Sequence, residues 1–213
     1  MTIELHGYRY SVYLRIVAMT LAEKNLSWTH VEVDPFAETI PDTYLALNPF
    51  GRVPTLVQDG FVLYETTAII RYIDEAFPGP SLQPAEPKER ARMNQIVAVA
   101  DSYGYWPMVR QVFSHRVFRP ASGGIANEAT IREGVEKSAR VLAALEGVAA
   151  GGPFLVGDTL SLADLHLGAM IAYFTMPEEG RSELRRHAKL AEWWAAFSQR
   201  PSLVETDPGL PAL

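Results

Sequence analysis

Two short stretches of the sequence combine residue types that can hold a ligand. In the first, "NPFGRVPTLV", an apolar run begins at Val53 and Pro54 follows at once. Proline has no backbone N–H to donate to a strand ladder, so it is confined to sheet edges and strand starts. These residues therefore indicate an edge strand, whose open backbone groups could pair with an added peptide. A tight turn that leads into the strand is the interpretation that the local sequence favours.

The second stretch, "YETT", lies where a strand pattern changes into a helix pattern, at Glu65 and Thr66. The first N–H groups of a helix have no partner inside the helix, and they attract anionic groups. This position predicts a small anion site with a carboxylate and a hydroxyl beside it. Simple helix capping is the alternative, and the two roles can coexist.

Composition removes several other kinds of chemistry. The chain of 213 residues has no cysteine, which excludes disulfides, thiolate metal sites and a cysteine nucleophile of its own. Its five histidines have no i, i+4 pair, so no metal site is expected. Lys plus Arg is 19 and Asp plus Glu is 25, which gives a net charge of −6, and there is no Lys/Arg block. Such a chain is not expected to bind nucleic acid, because phosphate contacts dominate that affinity.

The same sequence carries no sign of a membrane or a secretory route. The N-terminus has an early acidic residue, Glu4, and no apolar run, so a signal peptide is not expected. The longest apolar stretch, which starts at Leu167, is shorter than the roughly 20 residues that a membrane span needs. A cytoplasmic protein without a membrane partner is the expectation, and the missing cysteines are compatible with that reducing compartment.

The elements that must position the two stretches follow from periodicity. The patterns predict a strand over residues 2–7, a helix from Val12 to about Asn25, a strand within 28–34, a hairpin around Asp59-Gly60, and a helix from Thr66 to Phe77. Asp-Gly favours a type I′ turn because both central residues need positive φ. A parallel strand pair with a crossover helix and an added hairpin makes a small mixed sheet that is covered by helices.

Four prolines in "FPGPSLQPAEP" indicate a domain boundary, with a linker over residues 79–86. The first domain is then 1–78, and the second, 87–213, is all-helical. Its first helix is expected to run through residue 118 with a bend at Pro107. A later helix begins at Ser161, whose hydroxyl and the carboxylate of Asp164 form a short-armed capping box.

Four segments resemble, in order and spacing, the glutathione S-transferase superfamily, and especially its serine-type bacterial, theta-like and zeta-like members. These are "YSVYLRIVAMTLAEKNL", "NPFGRVPTLVQDGFVLYETTAIIRYIDEAFP", "FLVGDTLSLADL" and "LAEWWAAFSQRPS". The resemblance implies an α/β thioredoxin-like N-terminal domain and an all-α C-terminal domain. It also implies a cytoplasmic detoxification enzyme, usually a homodimer, that uses glutathione as co-substrate against a small hydrophobic electrophile.

The resemblance assigns the glutathione contacts. A cis bond before Pro54 would turn the Val53 N–H and C=O toward the cysteinyl unit, a rare geometry that usually has a purpose. Glu65 would hold the γ-glutamyl ammonium and Thr66, where the family more often has Ser, the carboxylate. The resemblance implies two further contacts. Arg52 would bind the glycyl carboxylate, with a solvated surface charge as the alternative, and Asp101 would reach the glutathione amine of a partner subunit.

The resemblance assigns the catalytic role to Ser11, which matches the catalytic hydroxyl of the serine-type classes. A free thiol has a pKa of about 8.5, so only about 3% is ionised at pH 7. A hydrogen bond from a hydroxyl to the sulfur and the positive end of a helix that begins near Val12 would lower the pKa of the thiol. Two alternatives remain open: Ser11 could be only a helix cap, or Tyr10 or Tyr8 could donate instead. The sequence also departs from the family pattern at Val12, where the family usually has proline.

The electrophile is expected to meet an aromatic stripe on the long helix. Tyr103, Trp106, Arg110 and Phe113 fall at i, i+3, i+7 and i+10. Core packing or dimer contact is the alternative for such a stripe. The sequence thus predicts a glutathione transferase. A glutathione-dependent peroxidase or isomerase and a non-catalytic binding or assembly module are the alternatives.

Overall fold

The computed structural model of the chain describes residues 1–211, so the last two residues of the predicted helical domain lie outside the described residues. The chain divides into two compact units by its internal contacts. The first contains residues 1–81 together with 205–208, and the second contains 82–204 and the described residues after Pro208.

The first unit is a mixed four-stranded sheet with helices. Its elements in chain order are β1 (Ile3–Gly7), α1 (Val12–Glu23), β2 (Thr29–Glu32), α2 (Asp42–Leu45), β3 (Thr55–Gln58), β4 (Phe61–Tyr64) and α3 (Thr66–Ala76). The strand order is β2-β1-β3-β4, in which β1 and β2 are parallel and the other neighbours antiparallel. The predicted thioredoxin-like α/β class of the N-terminal domain is confirmed.

The hairpin between β3 and β4 has the turn that its sequence predicts. Asp59 has φ 48° and Gly60 has φ 89°, and Gln58 pairs with Phe61 across the turn. Positive φ at both central residues is the requirement of a type I′ turn, which matches the right-handed twist of the strands. The hairpin fixes the register of β3, the strand that begins directly after Pro54.

The core of the first unit lies between the sheet and the helices α1 and α3. The predicted apolar face of α3 is buried, and Ile69, Ile70 and Ile73 are almost completely inaccessible to solvent. At the end of α1, the buried Lys24 donates to the backbone and side chain of Asp74 and to the Pro80 carbonyl, at 3.0–3.1 Å. Three acceptors for one ammonium satisfy its donors, and the contact ties the last turns of both helices together.

The described part of the second unit is built from helices. They are α4 (Pro87–Val99), a π-type segment (Ala100–Phe118), α5 (Arg119–Ala121), α6 (Glu128–Val148), α7 (Leu162–Phe174), α8 (Glu178–Leu184), α9 (Ala188–Phe197) and α10 (Pro201–Glu205). This agrees with the predicted all-α class of the C-terminal domain. No helix among residues 1–211 is both long and apolar enough to span a membrane.

The long helix differs in type from the prediction. The chain stays helical from Pro87 to Ala121, but Ala100–Phe118, which contains Pro107, has the wider π-type geometry. Sequence periodicity assumed 3.6 residues per turn, whereas a π-helix bonds residue i to i+5 and therefore has more residues per turn. A face predicted from α-helical spacing is consequently broken up in this segment.

Asp164 has the folding role that the capping box predicts. It accepts hydrogen bonds from the Ser161 N–H and hydroxyl, from the Leu155 N–H and from the Trp193 indole, at 2.7–2.9 Å. Burial raises the pKa of the Asp164 carboxyl, and these four donors act in the opposite direction. One side chain thus joins the start of α7, the preceding loop and α9.

A C-terminal segment belongs to the first unit, although the sequence analysis placed all of 87–213 in the helical domain. Residues 205–208 cluster with the first unit. There, Asp207 lies 3.5 Å from the guanidinium of Arg15, a residue of α1 that is only 3% exposed. A contact over such a sequence separation leaves no local pattern, and this explains why periodicity did not indicate it.

Candidate active site

Ser11 occupies the N-terminus of α1. Its backbone is extended, with φ −71° and ψ 125°, its N–H donates to the Tyr8 carbonyl at 2.8 Å, and its Oγ accepts from the Leu14 N–H at 3.4 Å. The helix cap that was one alternative for this serine is therefore present. A hydroxyl that accepts one hydrogen bond still has its own hydrogen to donate. Ser11 is half-buried, so a ligand can reach it.

Val53 lies close to the same turn. A Cβ atom built on Gly7, at the end of β1, would be 2.7 Å from Leu14 Cδ1 and 3.2 Å from Val53 Cβ. The side chains of Leu14 and Val53 thus both lie against the one residue of β1 that has no side chain. Gly7 permits this close approach, and it brings the Ser11 turn and the Val53 backbone into one neighbourhood.

The backbone around Pro54 is held by buried polar side chains that the sequence analysis did not select. The Arg52 carbonyl accepts from the Tyr44 hydroxyl and from Asn48 Nδ2, and both side chains also bond Thr55 Oγ1. Burial raises the pKa of Tyr44, against the effect of its bonds with Thr55 and Asn48, so its hydroxyl stays protonated. Only three-dimensional contact reveals this network, because Tyr44 in the four-residue helix α2 and Asn48 in the loop after it follow no periodic pattern.

The network leaves the Val53 backbone available to a ligand. The Val53–Pro54 peptide bond is cis. Among residues 1–211, the Val53 N–H and C=O make no backbone hydrogen bond. Arg52, whose carbonyl is fixed, has an exposed side chain.

Glu65 and Thr66 form the open N-terminus of α3. Glu65 has φ 72° and ψ 113°, and its exposed side chain makes no capping bond to the helix. A non-glycine residue at positive φ costs about 1–3 kcal/mol and persists where its surroundings hold it. Within the described residues, the N–H groups of Thr66 and Thr67 make no backbone hydrogen bond. The predicted anion site therefore has two open donors and a buried hydroxyl-bearing residue, Thr66.

An aromatic cluster lies next to Ser11, and one of its members was missed. The Tyr8 ring is in edge contact with Tyr10 at 5.4 Å and with Phe36 at 5.9 Å between centroids. Phe36, from the loop after β2, is largely exposed. Burial and then the charge of Asp34 raise the pKa of Tyr8, which keeps its phenol neutral. Phe36 follows an Asp-Pro pair that the sequence analysis treated only as a turn.

The candidates of the second unit do not form one exposed stripe. Tyr103 and Trp106 are 66% and 59% exposed, whereas Phe113 is 5% exposed. Phe113 stacks on Tyr173 with ring centroids 4.5 Å apart and an interplanar angle of 10°, so it is a core residue. Arg110 is half-buried, and Asp101 Oδ1 lies 2.7 Å from His166 Nε2. The π-type geometry accounts for the divergence of these positions.

Two family models match the chain. The N-terminal domain of glutathione S-transferase matches residues 5–81, and the C-terminal domain of glutathione S-transferase matches residues 105–201. These two ranges contain the Ser11 turn, the Val53 backbone, the start of α3 and the exposed Trp106, whereas Tyr103 lies two residues before the second range.

Relatives and solved structures agree with the models. Glutathione S-transferase F10 of Arabidopsis thaliana is 35% identical over 191 residues, which cover 88% of this chain and 88% of that protein. Glutathione S-transferase 3 of Zea mays is 33% identical over 215 residues, with 98% and 95% covered. The structure of glutathione S-transferase III in apo form superposes with a TM-score of 0.84 at 30% identity and covers 97% of this chain and 95% of its own.

These matches point to the plant phi class, which agrees with the serine-type resemblance of the sequence. The resemblance to the superfamily itself is confirmed. With both domains matched in order and similarity along nearly the whole chain, this protein belongs to the glutathione S-transferase superfamily.

Proposed function

We propose that this protein is a glutathione transferase in which Ser11 activates the glutathione thiol for attack on small apolar electrophiles. The observation that carries the proposal is that Val53 and Leu14, whose N–H donates to Ser11 Oγ, both lie against Gly7. A peptide paired with the Val53 backbone would have its cysteinyl sulfur beside a hydroxyl at the N-terminus of α1. The comparisons favour a transferase over a binding module, a peroxidase or an isomerase.

Each charged end of glutathione has a complementary group. The cysteinyl unit pairs with the Val53 N–H and C=O like an added strand. The γ-glutamyl carboxylate binds the open N–H groups of α3 and the Thr66 hydroxyl, and the ammonium binds Glu65. The exposed Arg52 guanidinium binds the glycyl carboxylate. Three fixed contacts hold the tripeptide in one orientation, which is what places the sulfur.

The chemical task is to make the thiolate the major form at neutral pH. Lowering the thiol pKa by about 2 units from 8.5 requires about 2.7 kcal/mol. A hydrogen bond from the Ser11 hydroxyl to sulfur and the positive end of the α1 dipole together supply an effect of this size. The proton leaves to solvent, and the sulfur lone pair then attacks the electrophile.

The electrophile in this proposal contacts aromatic surface. Tyr103 and Trp106, the exposed aromatic residues of the π-type segment, are its predicted contacts. Aromatic side chains present large apolar faces and favour flat or apolar ligands. Arg110 is a further predicted contact of the electrophile, whereas Phe113 is buried in the core.

We further propose a cytoplasmic homodimer with a role in detoxification. Phe50 is 67% exposed and in edge contact with Tyr64, which lies one residue before Glu65. Aromatic side chains are enriched in protein interfaces, so Phe50 is the residue chosen to test the assembly. Sedimentation of the wild-type protein and of a Phe50→Ser variant tests the assembly. A monomeric wild type would contradict it.

The function is tested with two measurements on the wild-type protein. Calorimetry should detect glutathione binding, and a panel of chromogenic aromatic electrophiles should reveal conjugation above the uncatalysed rate. Binding without turnover on any electrophile or peroxide would favour a non-catalytic module. No binding at millimolar glutathione would contradict both glutathione-dependent interpretations.

A further inference from the structure

His166 is a fully buried polar side chain with a bond to the surface of its unit. It lies in α7 with 0% exposure, and its Nε2 is 2.7 Å from Asp101 Oδ1. The Asp101 side chain is partly exposed, at 30%. Because a carboxylate can only accept, the imidazole donates this hydrogen bond. The contact joins a core helix to the first turn of the π-type segment.

The bond restrains the segment that carries the exposed aromatic pair. A buried imidazole costs free energy unless its polar atoms are bonded, so Asp101 is held where His166 needs an acceptor. Tyr103 is two residues after Asp101 and Trp106 is five residues after it, and both are more than half exposed. Few packing contacts fix such exposed rings, and the position of the backbone below them therefore decides where they lie.

We propose that His166 is a positioning residue that, through Asp101, fixes the backbone carrying Tyr103 and Trp106 and thereby sets selectivity among electrophiles. This rests on the proposed function, in which these two aromatic residues contact the electrophile. It also gives Asp101 a role within its own subunit, in place of the contact with a partner subunit's glutathione amine that the resemblance implied. His166 itself touches neither substrate.

Two substitutions separate the hydrogen bond from the volume of the side chain. His166→Met fills the space without a donor, and His166→Gln keeps an N–H donor of similar reach. We expect His166→Met to raise KM for an aromatic electrophile by about fivefold to tenfold, the effect of one lost hydrogen bond. The kcat and the glutathione KM should stay within about twofold, and His166→Gln should restore the electrophile KM.

Two controls exclude simpler explanations. Ile171→Val removes one buried methyl group from the same helix without touching the pair, so it loosens α7 but should leave the electrophile KM unchanged. Asp101→Asn removes the charge and keeps an oxygen acceptor. A raised glutathione KM in this variant would indicate that Asp101 binds glutathione, and it would overturn the proposal.

The proposal is also overturned if His166→Met leaves the electrophile KM unchanged, or if Ile171→Val changes it equally. A readout that is independent of activity distinguishes this failure from failure of the proposed function. Amide hydrogen exchange over residues 100–106 should become faster in His166→Met and stay at the wild-type rate in His166→Gln and Ile171→Val. Unchanged exchange in His166→Met overturns the inference even for an enzyme with no measured conjugation.

Discussion

The Ser11 hydroxyl serves the fold and the proposed chemistry through different parts of one group. Its lone pair accepts the Leu14 N–H, which completes the N-terminus of α1, and its hydrogen is available to a sulfur. The helix cap and the thiol donor were competing interpretations of the sequence, but the geometry allows both. Loss of the hydroxyl should consequently affect stability and the thiol pKa independently.

Ser11→Ala is expected to lower kcat/KM by about tenfold to a hundredfold, because one hydrogen bond to a charged sulfur is lost. The pKa of bound glutathione should rise by about 1–2 units, as read from the thiolate absorbance across a pH titration. The free energy of unfolding should fall by about 1 kcal/mol through loss of the cap. Glutathione affinity, measured by calorimetry, should be nearly unchanged.

Tyr10→Phe is the matched control, because it removes the other nearby hydroxyl that could act as donor and leaves its ring in the cluster with Tyr8. It should keep the wild-type thiol pKa. If Tyr10→Phe raises that pKa while Ser11→Ala does not, the donor is the tyrosine and the assignment of Ser11 is wrong.

In the second unit, α6 packs against the π-type segment at a distance that Gly134 permits. A Cβ atom at Gly134 in α6 would lie 2.7 Å from Gln111 Cβ, 2.9 Å from Val112 Cγ2 and 3.0 Å from the Pro107 carbonyl oxygen. These atoms belong to the π-type segment, so α6 approaches its backbone directly. The glycine is required by this close approach and not by its own backbone conformation.

Gly134→Ala should therefore lower the free energy of unfolding by about 1–3 kcal/mol through overpacking, although alanine is the better helix former. Gly147→Ala in the same helix is the matched control, since a Cβ there meets nothing within 4 Å. It should raise stability by up to about 1 kcal/mol. Urea unfolding of the two variants measures the difference. If both variants change the free energy of unfolding by the same amount and in the same direction, close packing does not restrict position 134.

At the scale of the whole molecule, the sequence predicted those features that local spacing encodes. The Asp59-Gly60 turn, the buried face of α3 and the Asp164 capping box each follow from neighbouring residues, and all three are present. The glutathione contacts at Val53 and Glu65 were predicted from the family resemblance together with local backbone chemistry, and they stay predictions. The structure adds how the Val53 loop is held, through the buried side chains of Tyr44 and Asn48.

Features that depend on distant contacts or on an unusual helix type were not predictable in this way. Phe113 is buried in the core and does not belong to an exposed aromatic stripe. That stripe was predicted from α-helical spacing, whereas the segment has π-type geometry. The pair of His166 with Asp101 joins residues 65 positions apart. The segment 205–208 was assigned by its place in the chain, whereas its contacts lie with α1.

That last contact gives a prediction for the first unit as a whole. Arg15 is a buried cation in the helix that begins at Ser11, and Asp207 is one of the groups that compensate its charge. Asp207→Asn keeps the shape of the side chain and removes the charge, so it leaves Arg15 less well compensated. The free energy of unfolding should fall by about 1 kcal/mol, as measured by urea denaturation. Asp158→Asn makes the same charge change at an exposed position and should have little effect. Equal stability of both variants would mean that the C-terminal segment does not stabilise the first unit through this pair.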